Sequence, residues 1–385
     1  MYLSRIIEES VRASLANNPV VALTGPRQCG KSTLAKQLMN GFDQSIYLDL
    51  ERPSDLLKLE DPEWFLSRQQ DKLICIDEIQ RRPDLFPIIR SLTDEWNKPG
   101  AFLIVGSASR DLLRQSSETL AGRVAYKRMT PFLWNEVNNE WALETYFFKG
   151  GFPRSLLAKD DEASFEWKLN FISTFLERDL MQWLNFTPST MRRLWLMLAH
   201  LNGQTVDYTT IGRSLGVSNV TIKNYIDLLK NTYMVEVVPA YFSNLGKRLV
   251  KSPKIYVADS GLQAALLGLH SFDELTGHPS FGAIWEQIVL SNIKGNYPEA
   301  EVSFYRTSNG AEVDFVVVFG NKTFIVECKS SLSPTLSKGN YLSIEDIAPN
   351  QTFVVAPVKQ GWALKPGIDV VSLKELTDRL GSKTY

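Results

Sequence analysis

Four short apolar runs mark the first third of the chain: Val20-Val21-Ala22-Leu23, Ile46-Tyr47-Leu48-Asp49-Leu50, Leu73-Ile74-Cys75-Ile76 and Ala101-Phe102-Leu103-Ile104-Val105. Each is bounded by polar or turn residues, and runs of this length read as buried strands. Thr33 through Leu38 read as a helix after the first of them. Strands alternating with helices predict a doubly wound, parallel α/β core. Further on, Phe165, Leu169, Ile172, Phe175, Leu176 and Leu180 recur at helical spacing, predicting a long packing helix over 161–183. From Thr209 to Ile222 the pattern is a short helix, a turn at Gly216 and a second helix that Ser218 can cap. That is a helix-turn-helix, and Met234 to Pro239 alternates behind it like the strand of a wing. In the last third, strands over 311–318 and 323–329 flank Gly320-Asn321, a two-residue hairpin turn.

The first predicted strand runs into Gly25-Pro26-Arg27-Gln28-Cys29-Gly30-Lys31-Ser32-Thr33, and the predicted helix follows. Strand, G-x-x-x-x-G-K-[ST] and helix together define a phosphate-binding loop. Gly25 and Gly30 let backbone amides turn toward a phosphate, and the helix start adds its positive end. Lys31 is expected to reach the terminal phosphates and Ser32 to hold Mg²⁺. The run Leu73 to Ile76 ends in Asp77-Glu78. One carboxylate at such a strand tip holds Mg²⁺ through its water shell, and the next orients or activates the attacking water. Asp77 suits the first role and Glu78 the second. At the tip of the run 101–105, Ser107 can touch the γ-phosphate or its water, with Ser109 behind it; either can equally cap a helix. Leu120-Ala121-Gly122-Arg123 presents an arginine that could serve a neighbouring subunit's nucleotide, with Arg110, Arg154 and Arg178 as competitors.

These pieces resemble prokaryotic AAA-type ATPases that carry a DUF4143 C-terminal region. The resemblance also takes in Gly106-Ser107, Gly150-Gly151-Phe152-Pro153 and Glu177-Arg178-Asp179, so it spans most of the chain. It implies ATP rather than GTP, and hydrolysis; motif spacing alone implies a nucleoside triphosphate and Mg²⁺.

The helix-turn-helix would place Asn219, Thr221, Lys223 and Asn224 toward a DNA groove. Between 213 and 254 stand seven basic residues, Arg213, Lys223, Lys230, Lys247, Arg248, Lys251 and Lys254, against Asp227 and Glu236. This local excess is the footprint of phosphate-backbone contact, although such modules also serve as lids or subunit contacts in ring ATPases. In the C-terminal hairpin, Glu327 and Lys329 are two apart and share a face of their strand. The hairpin can bring Asp314 onto that face, and Glu286 lies in a helical stretch upstream. Carboxylates with a lysine beside them can hold Mg²⁺ against a scissile phosphate. The set Glu286, Asp314, Glu327 and Lys329 resembles the PD-(D/E)xK nuclease fold, degenerate versions of which keep the fold without cutting.

The chain has 385 residues and a formal net charge of −1, which excludes a uniformly basic nucleic-acid coat but not a local patch. The expected organisation is a P-loop AAA-type ATPase core over 1–155, a helical and winged-helix middle domain over 156–268, and an α/β restriction-endonuclease-like domain over 269–385. Cys29, Cys75 and Cys328 are far apart and form no C-x-x-C pair, which points to a reducing compartment and a cytoplasmic protein. Of the three, Cys29 is expected to be accessible. His200, His270 and His278 form no cluster. No apolar run reaches the ~18–20 residues that span a bilayer, so no membrane partner is expected. The expected partners are ATP, DNA and further copies of the chain in a ring or dimer. A metabolic kinase is disfavoured, because it leaves the C-terminal half without a role.

Overall fold

The computed structural model describes residues 2–107, 119–180, 187–241 and 252–381. Two compact units result. The first holds Met1–Phe132 with Asn231–Tyr233, and the second Leu133–Lys230 with Met234–Tyr385. The first unit therefore closes at Phe132, where the sequence reading ran the ATPase domain to 155.

The first unit is built on five parallel strands: β1 (Val20–Gly25), β2 (Ser45–Asp49), β3 (Leu73–Asp77), β4 (Phe102–Ser107) and β5 (Val124–Arg128), in the order β2-β3-β4-β1-β5. Strands β1 and β3 are buried along their whole length, as expected of a parallel sheet covered on both faces. Leu34, Ala35 and Leu38 of the helix Lys31–Met39 pack with Val11 and Leu15 of the helix Ile7–Asn17 on one face. Phe86, Ile89 and Trp96 of the helix Leu85–Trp96 cover the other. All strand C-termini lie at one edge of such a sheet. That edge carries Gly25, Asp77 and Ser107, with Gly25 paired to Ser107 and Asp77 to Val105.

The second unit begins with helices. Asp161–Thr174 is an α-helix that continues as a π-helical turn over Phe175–Asp179. Phe165, Ile172, Phe175, Leu176 and Leu180 are buried as the spacing predicts, but Leu169 is 44% exposed and Lys168 is buried in its stead. The helix Pro188–His200 leads to β6 (Gln204–Thr205), the helices Tyr208–Leu215 and Asn219–Asn231, β7 (Val235–Val238) and β8 (Lys254–Val257). The strands form an antiparallel sheet in the order β6-β8-β7. Gly216 takes the left-handed conformation that closes the first of these two helices, and Ser218 accepts the Thr221 N–H at 3.1 Å to start the second.

The chain ends in a six-stranded mixed sheet, ordered β13-β14-β12-β11-β10-β9. Its strands are β9 (Glu301–Arg306), β10 (Glu312–Phe319), β11 (Lys322–Cys328), β12 (Gln351–Val355), β13 (Trp362–Lys365) and β14 (Ile368–Val371). The hairpin is as read: β10 and β11 are antiparallel and Phe319 faces Lys322 across Gly320-Asn321. The long helix Phe281–Asn296 lies on this sheet, its Trp285 donating to the Val355 carbonyl at 2.9 Å. Among the described residues no helix is long and apolar enough to cross a membrane.

Candidate functional sites

At the edge of the first sheet, residues 25–33 form a loop between β1 and its helix. Gly25 takes φ +154, and a Cβ there would stand 2.2 Å from the Met129 carbonyl oxygen. Gln28 and Gly30 take positive φ as well, 59° and 102°. Such alternation turns backbone N–H groups toward one point, the anion-binding geometry of a nest at a helix N-terminus. Lys31 is buried, and its ammonium donates to the Gly25 and Pro26 carbonyls at 3.2 and 2.7 Å. It thus lies across the loop, where a terminal phosphate would compete for it. Cys29 is wholly buried rather than accessible. Its side chain joins the core beneath the loop, which leaves backbone and Lys31 to face a nucleotide.

The structure brings Asp77 and Glu78 to the same edge. Asp77 is buried; one carboxylate oxygen accepts the Glu78 N–H at 3.0 Å and the other accepts the Tyr47 hydroxyl. Ser32 lies near enough to the Tyr47 phenol to oppose the rise in its pKa that burial and Asp77 cause. Burial first, then the charge of Asp77, raises the Glu78 carboxyl above its ordinary range. Gln80 donates to Glu78. A buried, oriented carboxylate beside a loop serine is the donor set that suits a hydrated Mg²⁺, so the residues fit the ion that MgATP carries.

Sequence reasoning missed Tyr47 and Arg5. Tyr47 reads as one more strand residue, and only the neighbouring strand's geometry shows that its hydroxyl reaches Asp77. Arg5 is buried and donates to the Cys29, Thr130 and Pro131 carbonyls at 3.1, 2.7 and 3.2 Å. It fixes the back of the loop to the chain after β5. Its isolated charge in an amphipathic N-terminus carries no such signal.

Arg123 stands elsewhere. Its carbonyl accepts the Val20 N–H at 3.1 Å, which puts it at the starting edge of β1, opposite Gly25. Its guanidinium holds Asp94 at 2.5 and 3.0 Å. It does not approach this chain's own loop. The Ser107 side chain, Ser109, Arg110, and the side chain of Arg178 lie outside the described residues, and Arg154 sits in a short helix of the second unit. The glycine pair in Gly150-Gly151-Phe152-Pro153 has a structural role. Gly151 donates to the buried Asp259 carboxylate at 2.8 Å, and a Cβ on Gly150 would stand 2.2 Å from that carboxylate. Asp259 in turn caps the helix Ser260–Leu266.

In the second unit Glu286, Asp314, Glu327 and Lys329 do converge. Asp314 N–H donates to Glu327 Oε2 at 3.2 Å, Cys328 N–H to Asp314 Oδ2 at 2.8 Å, and Lys329 Nζ to Glu327 Oε1 at 2.7 Å. Burial raises all three carboxyls, and the charge of Asp314 adds to the rise at Glu286 and Glu327, both to about 8. Two groups came unannounced. Lys254 Nζ lies 3.1 Å from Glu312 Oε1 and 3.9 Å from Asp314 Oδ1, and Tyr256 donates to Glu286 Oε2 at 2.7 Å. Lys254 was counted in the basic surface patch. It is instead 3% exposed and turned inward, because it lies on a wholly buried strand and finds its counter-ions there. The signal was present: a lysine interrupts an apolar strand, as Glu327 does. Lys247, Arg248 and Lys251 lie outside the described residues.

A parallel β2-β3-β4-β1-β5 sheet with the loop, lysine and acidic pair at one edge defines a P-loop ATPase. An AAA domain matches residues 17–138, and domains of unknown function match 140–273 (DUF8612) and 281–376 (DUF4143). An uncharacterized protein of Mycobacterium tuberculosis is 36% identical over 367 residues, covering 95% of this chain and 82% of that protein. Another, from Methanocaldococcus jannaschii, is 23% identical over 342 residues, 74% of this chain and 70% of the relative. The chain therefore belongs to the AAA-type ATPases with a DUF4143 C-terminal domain. Among solved structures, the ORC1 protein of Aeropyrum pernix in complex with DNA is similar at TM-score 0.28, with 13% identity, 69% of this chain and 92% of that one covered. AMPPCP-bound DnaA from Aquifex aeolicus is similar at 0.31, with 13% identity, 58% of this chain and 86% of that one covered.

Proposed function

We propose that this ATPase is a Mg²⁺-dependent switch that acts on DNA, and that its subunits assemble so that Arg123 of one completes the nucleotide site of the next. Bound Mg²⁺ would supply charge neutralisation at the β- and γ-phosphates. Lys31 would leave the loop carbonyls for the terminal phosphates, Asp77 and Ser32 would hold the ion, and Glu78 would orient the attacking water. Ser107, by its place at the tip of β4, is the proposed γ-phosphate contact.

The DNA assignment rests on one observation. The helix Asn219–Asn231, second of a helix-turn-helix and followed by the β7–β8 pair, buries Ile222, Tyr225, Ile226 and Leu229 and leaves Asn219, Lys223 and Asn224 exposed. This order of elements, with Asn219, Lys223 and Asn224 exposed beside Val220, supports a winged-helix reading in which the helix enters a major groove. Thr221 is spent on its cap, bonding Ser218 at 2.8 Å. DNA affinity measured against salt tests the reading. Lys223→Ala should weaken binding to all sequences and flatten the log–log salt slope by about one. An unchanged slope and affinity would remove this helix from the interface.

Convergence of Glu286, Asp314, Glu327 and Lys329 supports a nuclease-type fold for the C-terminal domain. The donor set does not fit a divalent ion as arranged, because protein donors already hold these carboxylates and an ammonium stands among them. A DNA-binding role without cutting is therefore the reading for this conformation.

A further inference from the structure

Strand β8 belongs to the small sheet beside the helix-turn-helix, yet one of its faces serves the C-terminal domain. Lys254 and Tyr256 are two apart and share that face. Tyr256 is fully buried, donates to Glu286 and packs 5.8 Å from the Phe315 ring. Lys254 runs along Phe304, its ammonium 5.5 Å from the ring centre, and ends between Glu312 and Asp314.

Glu286, Asp314 and Glu327, the first two partly and the last fully buried, repel one another in their charged forms unless protons or a cation join them. In a nuclease of this fold a divalent ion meets that need. Here Lys254 and Lys329 approach the cluster from two sides, and Arg306 holds the far oxygen of Glu312 at 3.3 Å. Lys254 keeps its proton despite burial, since the surrounding acids outweigh the cost of desolvation. Among the described residues, no group of three or more acidic, histidine or cysteine side chains is arranged to hold a metal.

We infer that Lys254, carried in by β8, is the resident cation of the C-terminal carboxylate cluster, and that a divalent ion enters only when this ammonium is removed. The inference rests on the nuclease-type reading of the domain and adds the residue that closes its site. The middle and C-terminal regions therefore share one ionic site, with β8 supplying the positive charge.

Mn²⁺ titration of the nucleotide-free full chain, followed by the electron paramagnetic resonance of the free ion, tests this. Wild type and Asp314→Asn should titrate alike. Lys254→Met should gain about one equivalent of Mn²⁺, bound about tenfold or more tighter than any site in wild type, and Lys254→Met with Asp314→Asn should lose it. Far-UV circular dichroism and a cooperative thermal transition matching wild type report that the Lys254 variant is folded. If that variant does not fold, Lys254→Gln, which keeps a donor and drops the charge, replaces it. Mn²⁺ bound by wild type and lost in Asp314→Asn would overturn the inference while leaving the nuclease-type site standing. No Mn²⁺ in wild type or in a folded Lys254 variant would overturn both.

Discussion

Individual residues of the nucleotide site were unevenly legible. Gly25, Gly30, Lys31, Asp77 and Glu78 can be read from spacing because phosphate chemistry demands those types in that order. Tyr47 and Arg5 cannot, because each acts through side-chain reach across strands. Lys31→Ala removes the charge proposed to reach the terminal phosphates and should lower kcat/KM for ATP by about 10²–10³-fold, the range for losing one preorganised electrostatic contact. Steady-state phosphate release checks it; a rate within twofold of wild type would refute the role. Tyr47→Phe removes a donor from the buried Asp77 carboxylate, which costs about 1–3 kcal/mol. Expected are a lower unfolding temperature for the first unit and a higher Mg²⁺ requirement for hydrolysis, with ATP affinity in the absence of Mg²⁺ unchanged. An unchanged Mg²⁺ dependence would mean that Tyr47 does not orient Asp77.

At the scale of elements, periodicity located the parallel strands, the helix-turn-helix and the C-terminal hairpin. It failed inside the helix Asp161–Thr174, where Leu169 faces out and Lys168 is buried, donating to the Phe148 carbonyl at 2.8 Å. A hydrophobic count has no means to anticipate a buried ammonium. Burial lowers the Lys168 pKa to about 8, against an ordinary 10.5. The unfolded chain therefore binds the proton more readily than the native one between these values. By linkage, stability contributed by this group is full above about pH 10.5 and is lost as pH falls through about 8. The span corresponds to roughly 3 kcal/mol. Urea unfolding of wild type minus Lys168→Met should show a difference that changes by that order between pH 7.5 and 10.5, the variant being the flatter. Parallel curves would show that Lys168 titrates as an exposed lysine. Strand β8 failed the count in the same way. Its lysine was assigned to the surface, and its partners come from a different sheet, a relation that no local pattern encodes.

For the whole molecule, the parallel α/β core and the C-terminal sheet were legible, while the division at Phe132 was not, since the helices that follow it group with the second unit. The assembly reading makes Arg123 a group in trans. Arg123→Ala alone and Lys31→Ala alone should each be nearly inactive, and mixing them should restore part of the ATPase rate, because one subunit keeps the loop and the other the arginine. A mixture no faster than its components would place Arg123 outside the nucleotide site and leave it to its ion pair with Asp94. The claim that joins the units is that nucleotide turnover answers to DNA. The most direct measurement is the steady-state ATPase rate of the full chain at saturating MgATP, with and without duplex DNA, over a range of salt. DNA should raise kcat several-fold at low salt, the effect should fade as salt rises with the loss of DNA binding, and Lys223→Ala should weaken it while leaving the DNA-free rate alone. A rate indifferent to DNA at every salt concentration, from a protein that binds DNA under the same conditions, would contradict that claim.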